Sequence, residues 1–357
     1  MLIVRLANYL TSRGVENAYL TTSLPPGMAD QLGGTEVIVS PKLTRCTFTT
    51  VQDLVPLFRT LRQLRKRFDV INIHNFPAEL AVWGGHTPVV WMCNEPPRVS
   101  LQPGTASFAV ECMKKMVLAF DRFTVKKYIR RAVVADLYNA DRFEKLYGFR
   151  PAVIPYGIDH SFFQQGDSSR ARKKYALSEH DFLCLQVGMI TPYKNQLASV
   201  KAVERLRPNV PQIKLILAGF CDNAYARDLK RYITQHSMEQ TVIVTGHLDR
   251  GQLKDLYHAC DVLLHPVRDQ GGWLTPFEAL CARAVIVVSP SMTCSDIIRS
   301  HGLGIVTDDL EEAIRTIYAT RSEFKAKAEK GCNWVKDNLN WDMFSQAMLD
   351  VFEESLR

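Results

Sequence analysis

The feature that most constrains this chain is an alternation: short, nearly continuous apolar runs are separated by amphipathic stretches of roughly 10 to 15 residues. The runs are AYLTT (18–22), EVIVS (36–40), VINIH (70–74), PVVWMC (88–93), AVVAD (132–136), AVIP (152–155), FLCLQVG (182–188), IKLILAG (213–219), TVIVTG (241–246), DVLLHP (261–266), AVIVVS (284–289) and LGIVT (303–307). A run that is apolar at every position suits a parallel strand covered on both faces, so the spacing predicts an α/β protein with mostly parallel sheets and helices between the strands. The stretch PAVIPYGIDHSFFQQGDSSRARKKYALSEHD breaks the alternation with Pro155, Gly157 and a polar segment before the second series begins at Phe182. Two doubly wound domains facing across a cleft are therefore predicted, over residues 1–155 and 156–340.

Length agrees with that division, because 357 residues exceed what one compact core holds. A 46% apolar and 23% charged composition excludes disordered, collagen-like and coiled-coil chains. The longest apolar runs fall far short of the roughly 20 residues that cross a bilayer, and MLIVRLANYLTSRG lacks the parts of a secretory signal. The nine cysteines are scattered, so neither a zinc pair nor a redox CxxC is expected, and the nine histidines show no metal-ligand spacing. No GxSxG, GxxxxGK[ST] or GxGxxG is present, which disfavours hydrolase, P-loop and nicotinamide chemistry.

Charge is uneven. Residues 1–150 carry a net +8 and the remainder −1. The densest clusters are Arg59, Arg62, Arg65, Lys66 and Arg67, then Lys126, Lys127, Arg130 and Arg131. Leu57, Leu61 and Leu64 make the first segment an amphipathic helix with a basic outer face. That face is either simply solvated or attracted to anionic lipid or an anionic acceptor. Nucleic acid is not expected, because no recognition module accompanies the charge.

Two constellations carry chemistry. In VGMITPYKNQ a strand ends at Gly188, and a short loop brings Lys194 to the start of a helix near Gln196, an arrangement suited to phosphate. In HPVRDQGGWLTPFEAL a strand is followed by Gln270, Gly271 and Gly272 and then by a helix for which Thr275 and Pro276 are suitable first residues. The amides of Trp273, Leu274 and Thr275 could hold a diphosphate, and Glu278, on the first turn, could accept two ribose hydroxyls. A solvated lysine, and a glutamate that only complements the helix dipole, are the alternatives.

Taken in order, these pieces resemble the GT-B fold retaining glycosyltransferases of family 4, which include bacterial and archaeal mannosyl- and glucosyltransferases. VIPYGID (153–159) resembles the interdomain viPnGvD, VGMITPYKN resembles vGRlxxxKG, and QGGWLTPFEAL occupies the E-x7-E motif. The resemblance implies that Lys194 contacts the donor diphosphate and that Glu278 holds the nucleotide ribose. Gly246, His247 and Leu248 would line the base pocket with Tyr257 nearby, Leu274 and Thr275 would hold the distal phosphate, and His74, Asn75, Asn94 and Glu95 would face acceptor and donor sugar. It also implies a hexosyltransferase in polysaccharide biosynthesis that takes a nucleoside-diphosphate sugar and a glycan or lipid-linked acceptor, with no metal or other cofactor. Such an enzyme is expected in the cytoplasm or peripheral at the inner face of a membrane.

The chain departs from the pattern at four places. Gln270 stands where the family usually has Glu, Met189 where the partner of the lysine is usually Arg, and Asn94 where His is common. The match without a gap begins only at the first helix, with Leu2, Leu6, Tyr9 and Leu10 at helical spacing and Gly14 as its C-cap, so the family's first strand and Gly-rich loop are expected to be absent. These departures keep two other functions open: a non-catalytic GT-B protein that binds nucleotide or glycan or serves as a partner subunit, and a nucleotide-sugar epimerase. At the other end Trp341, Phe344, Met348 and Phe352 make an acidic amphipathic helix over 341–357, expected to cross back onto the basic first domain.

Overall fold

The computed structural model describes residues 2–42, 49–97, 108–268 and 273–357. The chain divides into two compact units, Met1–Gly157 with Trp341–Arg357, and Ile158–Asn340.

The first unit opens with the helix Leu2–Ser12, stopped at Gly14, whose φ of 75° is one that residues with a β-carbon adopt reluctantly. Strands β1 (Ala18–Thr21) and β2 (Glu36–Val39) form a parallel pair. A separate parallel sheet has the order β3 (Ile71–His74), β4 (Val89–Met92), β5 (Ile129–Val134) and β6 (Ala152–Val153). The opening helix serves both sheets. Leu6 and Leu10 pack with Val90, Met92, Val133 and Ile154, while Val4 and Ala7 pack with Leu32, Tyr19 and Val37. Strand β4 is buried at all four positions, as its unbroken apolar sequence requires. Val90 and Met92 enter the cluster under the opening helix, and Val89 and Trp91 enter an opposite one built on Val125, Phe143 and Tyr147.

The C-terminal helix Trp341–Leu356 is part of this unit, with Phe344, Met348 and Val351 in the same cluster as Leu6 and Leu10. Tyr9 Oη donates to Gln346 Oε1 at 2.7 Å across that contact. Each of these buried side chains contributes about 1.5–3 kcal/mol, so burial rather than the exposed Arg131–Glu354 pair at 4.0 Å holds the helix. Gly157 lets the chain pass here, since a β-carbon would lie 2.6 Å from the Trp341 backbone nitrogen.

The second unit is one six-stranded parallel sheet of order β12-β11-β10-β7-β8-β9. Its strands are β7 (Phe182–Val187), β8 (Ile213–Ala218), β9 (Val242–Gly246), β10 (Val262–His265), β11 (Val285–Val288) and β12 (Ile305–Val306). The chain starts in the middle at β7, builds outward to β9, then returns to β10 and builds the other way. The order therefore reverses between β7 and β10, and at such a switch point the loops leaving the two strands diverge and open a crevice at their carboxyl ends. The Lys194 loop follows β7, and the segment leading to Glu278 follows β10.

Among the described residues no helix is long and apolar enough to cross a membrane, and no group of three or more His, Cys, Asp and Glu side chains is assembled.

Two local expectations need correction. The basic helix runs Thr49–Leu64, and Arg65 does not lie on its outer face. It starts a 3-10 turn that aims the guanidinium inward, where it donates to the Val82 carbonyl and is 6% exposed. The helix after β10 begins at Leu274 with Trp273 as its cap residue, so Thr275 and Pro276 lie inside the first turn and Glu278 one turn further in. Proline is tolerated there because the first-turn amides have no intrahelical partner to lose.

Candidate functional site

The second unit holds the residues expected on the donor side, most of them around the switch point. Gly188 closes β7 with φ 142°, and its amide donates to the Ala218 carbonyl at 2.8 Å. The loop that follows is braced from several sides. Gln196 Nε2 donates to the Met189 carbonyl (3.0 Å), Asn223 Nδ2 to that of Ile190 (2.7 Å), and the Arg268 amide to that of Tyr193 (2.7 Å). A 3-10 turn, Pro192–Lys194, then delivers Lys194, and Asn195 turns the chain into the next helix with a left-handed φ of 57°. Gln186, buried in β7, donates to the Lys194 carbonyl at 2.7 Å and fixes the lysine backbone.

Lys194 itself is 8% exposed. Its Nζ lies 5.6 Å from the Tyr193 ring centroid, and among the described residues it makes no ion pair. Burial alone lowers its pKa from 10.5 to about 8. A nearly buried ammonium without a counter-ion is costly unless an anion joins it.

On the other side of the switch point the helix Leu274–Cys281 starts without a capping side chain. Asp136, Asn223, Asp249 and Asp309 each accept from the amide three residues into their helices, whereas the helices that begin at Gln196 and Ser295 also lack a capping side chain. The first-turn amides of Leu274 and Thr275 are thus left for water or a bound anion. Glu278 accepts a hydrogen bond from Tyr257 Oη at 3.1 Å. Burial raises its pKa, opposed by that bond and by the Arg250 charge. Tyr257 is fully buried and so holds the carboxylate in one place. Trp273, 5% exposed, packs edge-on against Phe277 with centroids 5.4 Å apart.

Gly246 ends β9 with φ 76° and open space where a β-carbon would stand, His247 beside it is exposed, and Leu248 is half-buried. Met189 is 51% exposed and adds no charge. Gln270, Gly271 and Gly272 lie outside the described residues. Lys194 lies in the turn after β7, the Leu274 and Thr275 amides and Glu278 lie in the helix after β10, and Gly246, His247 and Leu248 lie at the end of β9, the sheet's edge strand.

The residues expected on the acceptor side belong to the first unit. His74 ends β3, with its pKa lowered to about 4 by burial, so it is neutral at physiological pH. Asn75 follows in a left-handed conformation, φ 63°, and accepts from Asn94 Nδ2, while Asn94 Oδ1 accepts from Tyr156 Oη. Glu95 pairs with Arg142 at 3.5 Å, and Arg142 also donates to the Pro96 carbonyl at 3.1 Å. The loops after β3 and β4 therefore meet as one polar cluster.

Four contributors were not read from the sequence. Tyr156 and Arg142 reach the cluster from distant segments, and Arg268 braces the Lys194 loop through its backbone. Gly219 passes so close to Gly188 that a β-carbon would overlap the Gly188 carbonyl. A glycine directly after a strand is the sort of signal that could have revealed the last.

Comparison with known proteins identifies the family and the fold. Residues 1–162 match the Glycosyltransferase Family 4 model and residues 167–330 the Glycosyl transferases group 1 model. The chain belongs to the group 1 glycosyltransferases, and its architecture is GT-B. Among relatives, it is 21% identical over 251 residues to a D-inositol 3-phosphate glycosyltransferase of Acidothermus cellulolyticus, covering 68% of this chain and 55% of that one. It is 24% identical over 242 residues to the lipopolysaccharide core biosynthesis mannosyltransferase LpsB of Rhizobium meliloti, covering 65% and 68%. The chain thus spans little more than half the length of the first of these relatives. Anabaena HepE in complex with UDP and glucose superposes with TM-score 0.80 at 15% identity, over 99% of this chain and 95% of that one. Sucrose-phosphate synthase from Thermosynechococcus elongatus superposes with TM-score 0.78 at 16% identity, over 98% and 91%.

Proposed function

We propose that this protein transfers a hexose from a nucleoside-diphosphate sugar to a glycan or lipid-linked acceptor with retention of anomeric configuration. The observation that carries the reading is Lys194, a buried ammonium without a counter-ion among the described residues, on the loop after β7, together with a helix start after the neighbouring strand β10 that no side chain caps. A diphosphate satisfies both deficits together.

In this reading Lys194 and the Leu274 and Thr275 amides neutralise the diphosphate as the bond from the anomeric carbon to the diphosphate oxygen breaks. Glu278, oriented by Tyr257, accepts the ribose hydroxyls, and Gly246, His247 and Leu248 receive the base. Gln270 hydrogen-bonds sugar hydroxyls. The acceptor oxygen attacks the same face that the leaving group vacates, and its proton passes to the departing phosphate. Because cation and amides are already in place, neither a metal nor a further cofactor is required. On the acceptor side Asn75, Asn94 and Glu95 present amide and carboxylate groups to hydroxyls, with neutral His74 beside them. UDP and glucose in the HepE structure, and the mannosyltransferase activity in the name of LpsB, support this donor class. The basic first unit adds peripheral contact with an anionic membrane, where a lipid-linked acceptor would lie.

A panel of isotope-labelled donors, with product anomers assigned by NMR, tests the reading. Retained hexose on an acceptor is the expected result. Inverted product overturns the mechanism, and nucleotide binding with no turnover assigns the chain to a non-catalytic GT-B protein.

A further inference from the structure

The first unit contains a cavity of about 640 Å³ lined by Phe58, Arg62, Arg65, Lys66, Trp83 and Tyr128, with Gly84, Gly85, His86 and Thr87 closing one side. Among the described residues three cations line it, together with one histidine, and no carboxylate does. Arg62 and Lys66 are exposed at its rim, whereas Arg65 is buried and held by its bond to the Val82 carbonyl. None of the three makes an ion pair among the described residues. Gly85 has φ 106°, and a β-carbon there would run into the Arg65 guanidinium, so this wall closes only over a residue without a side chain.

Trp83 joins the cavity to a second feature. It stacks on Phe120 (centroids 4.9 Å apart, planes 9° apart) and leans on Phe123 and Tyr128 at 5.6 and 5.4 Å. Phe120 and Phe123 belong to the helix Phe108–Tyr128, whose outer side exposes Met116 (66%), Val117 (43%), Phe120 (44%) and Phe123 (49%). Met116, Phe120 and Phe123 follow helical spacing along one ridge. Lys127 lies over the Phe123 and Tyr128 rings at 5.3 and 5.5 Å, and Lys126 is exposed next to it. Large apolar side chains bordered by cations are the two halves of an interfacial anchor. The apolar part enters the acyl boundary, and long basic side chains reach back to the headgroups.

We propose that this surface is where the protein docks on an anionic phospholipid bilayer, with the Met116–Phe120–Phe123 ridge in the interface and a lipid phosphate in the Arg62–Arg65–Lys66 cavity. The inference rests on the peripheral membrane contact proposed above and supplies its location. Charge complementarity decides between occupants: a cavity lined by cations without a carboxylate does not suit a second copy of this basic unit, which would bring like charge to it.

The test is co-sedimentation of the full chain with vesicles of phosphatidylcholine alone or containing 30% phosphatidylglycerol. Binding is expected only with the anionic lipid and is expected to weaken with added salt. Arg62→Glu/Lys66→Glu should lower partitioning at least ~25-fold, at about fivefold for each cation lost near an anionic surface. Met116→Glu/Phe123→Glu should lower it comparably. Both pairs should leave nucleotide binding and transfer to a soluble acceptor intact, so loss of donor chemistry and loss of docking are read separately. Binding insensitive to lipid charge, or unchanged in either double variant, overturns the proposal. So does full competition by inorganic phosphate, which would assign the cavity to a soluble anion, and so does a dimer that the ridge variant dissociates without any vesicle binding by the parent.

Discussion

Lys194 offers a quantitative test that depends on a buried charge rather than on turnover. Burial lowers its pKa from 10.5 to about 8, a gap of about 3.4 kcal/mol at 1.36 kcal/mol per unit, which is the ceiling on what a counter-ion can recover. In the free protein the amine is half protonated at pH 8. A bound diphosphate restores the charged form, so binding takes up about 0.1 proton at pH 7, about 0.5 at pH 8 and about 0.9 at pH 9. Observed affinity then falls about tenfold between pH 7 and pH 9. The sign for folding is opposite. With its native pKa depressed, the unfolded chain binds more protons between pH 8 and 10.5, so the free protein gains stability as pH rises through that window. Calorimetry of a nucleoside diphosphate in buffers of different ionisation enthalpy measures the uptake directly. Lys194→Met should abolish it and flatten the pH dependence. No uptake at pH 8, or the same uptake in Lys194→Met, would refute the assignment of the diphosphate to this lysine.

Other consequences are equally concrete. Glu278→Ala should weaken nucleotide binding by about 1.5–3 kcal/mol, the scale of a hydrogen bond to a charged group, and Tyr257→Phe should lose a smaller part of that by freeing the carboxylate, both read by calorimetry. Gln270→Ala should change discrimination among donor sugars while leaving the free nucleotide's affinity nearly intact, as competition between nucleotide sugars and nucleotide would show. Glu79 is fully buried, and burial together with the Asp121 charge raises its pKa to about 9. It is neutral in the native protein but ionised in the unfolded chain above about pH 4.5, so stability falls as pH rises from there toward 9, by at most about 1.4 kcal/mol per pH unit; denaturant titrations of Glu79→Gln should show a flatter profile.

How much of this was legible in the sequence depends on which forces act locally. The strands were readable because a parallel strand buried on both faces must be apolar throughout, as VIVV at Val285–Val288 and VVWM at Val89–Met92 are. Lys194 stood out because a lysine between a strand-ending glycine and a helix start suits phosphate, but its burial was not legible, since a solvated lysine fits the same pattern. What the pattern did not carry was direction and proximity. The run Arg59–Arg67 looks uniformly basic, yet a change from helix to 3-10 turn after Leu64 sends Arg65 inward. Thr275-Pro276 has the chemistry of a helix start, but the helix begins at Leu274 because a first-turn proline loses no hydrogen bond. The Asn75–Asn94–Tyr156 cluster depends on which strands are neighbours, which no local segment encodes. The ridge of Met116, Phe120 and Phe123 has the spacing of an ordinary buried helix face, and only the fold shows these side chains to be exposed.

The central claim, that the switch point of the second unit binds a nucleoside diphosphate, is tested most directly by a crystal structure of the protein soaked with that ligand. Density is expected with the diphosphate between Lys194 and the Leu274 and Thr275 amides, the ribose hydroxyls on Glu278, and the base beside Gly246, His247 and Leu248. A nucleotide bound elsewhere, or bound here with the ribose away from Glu278, would contradict it.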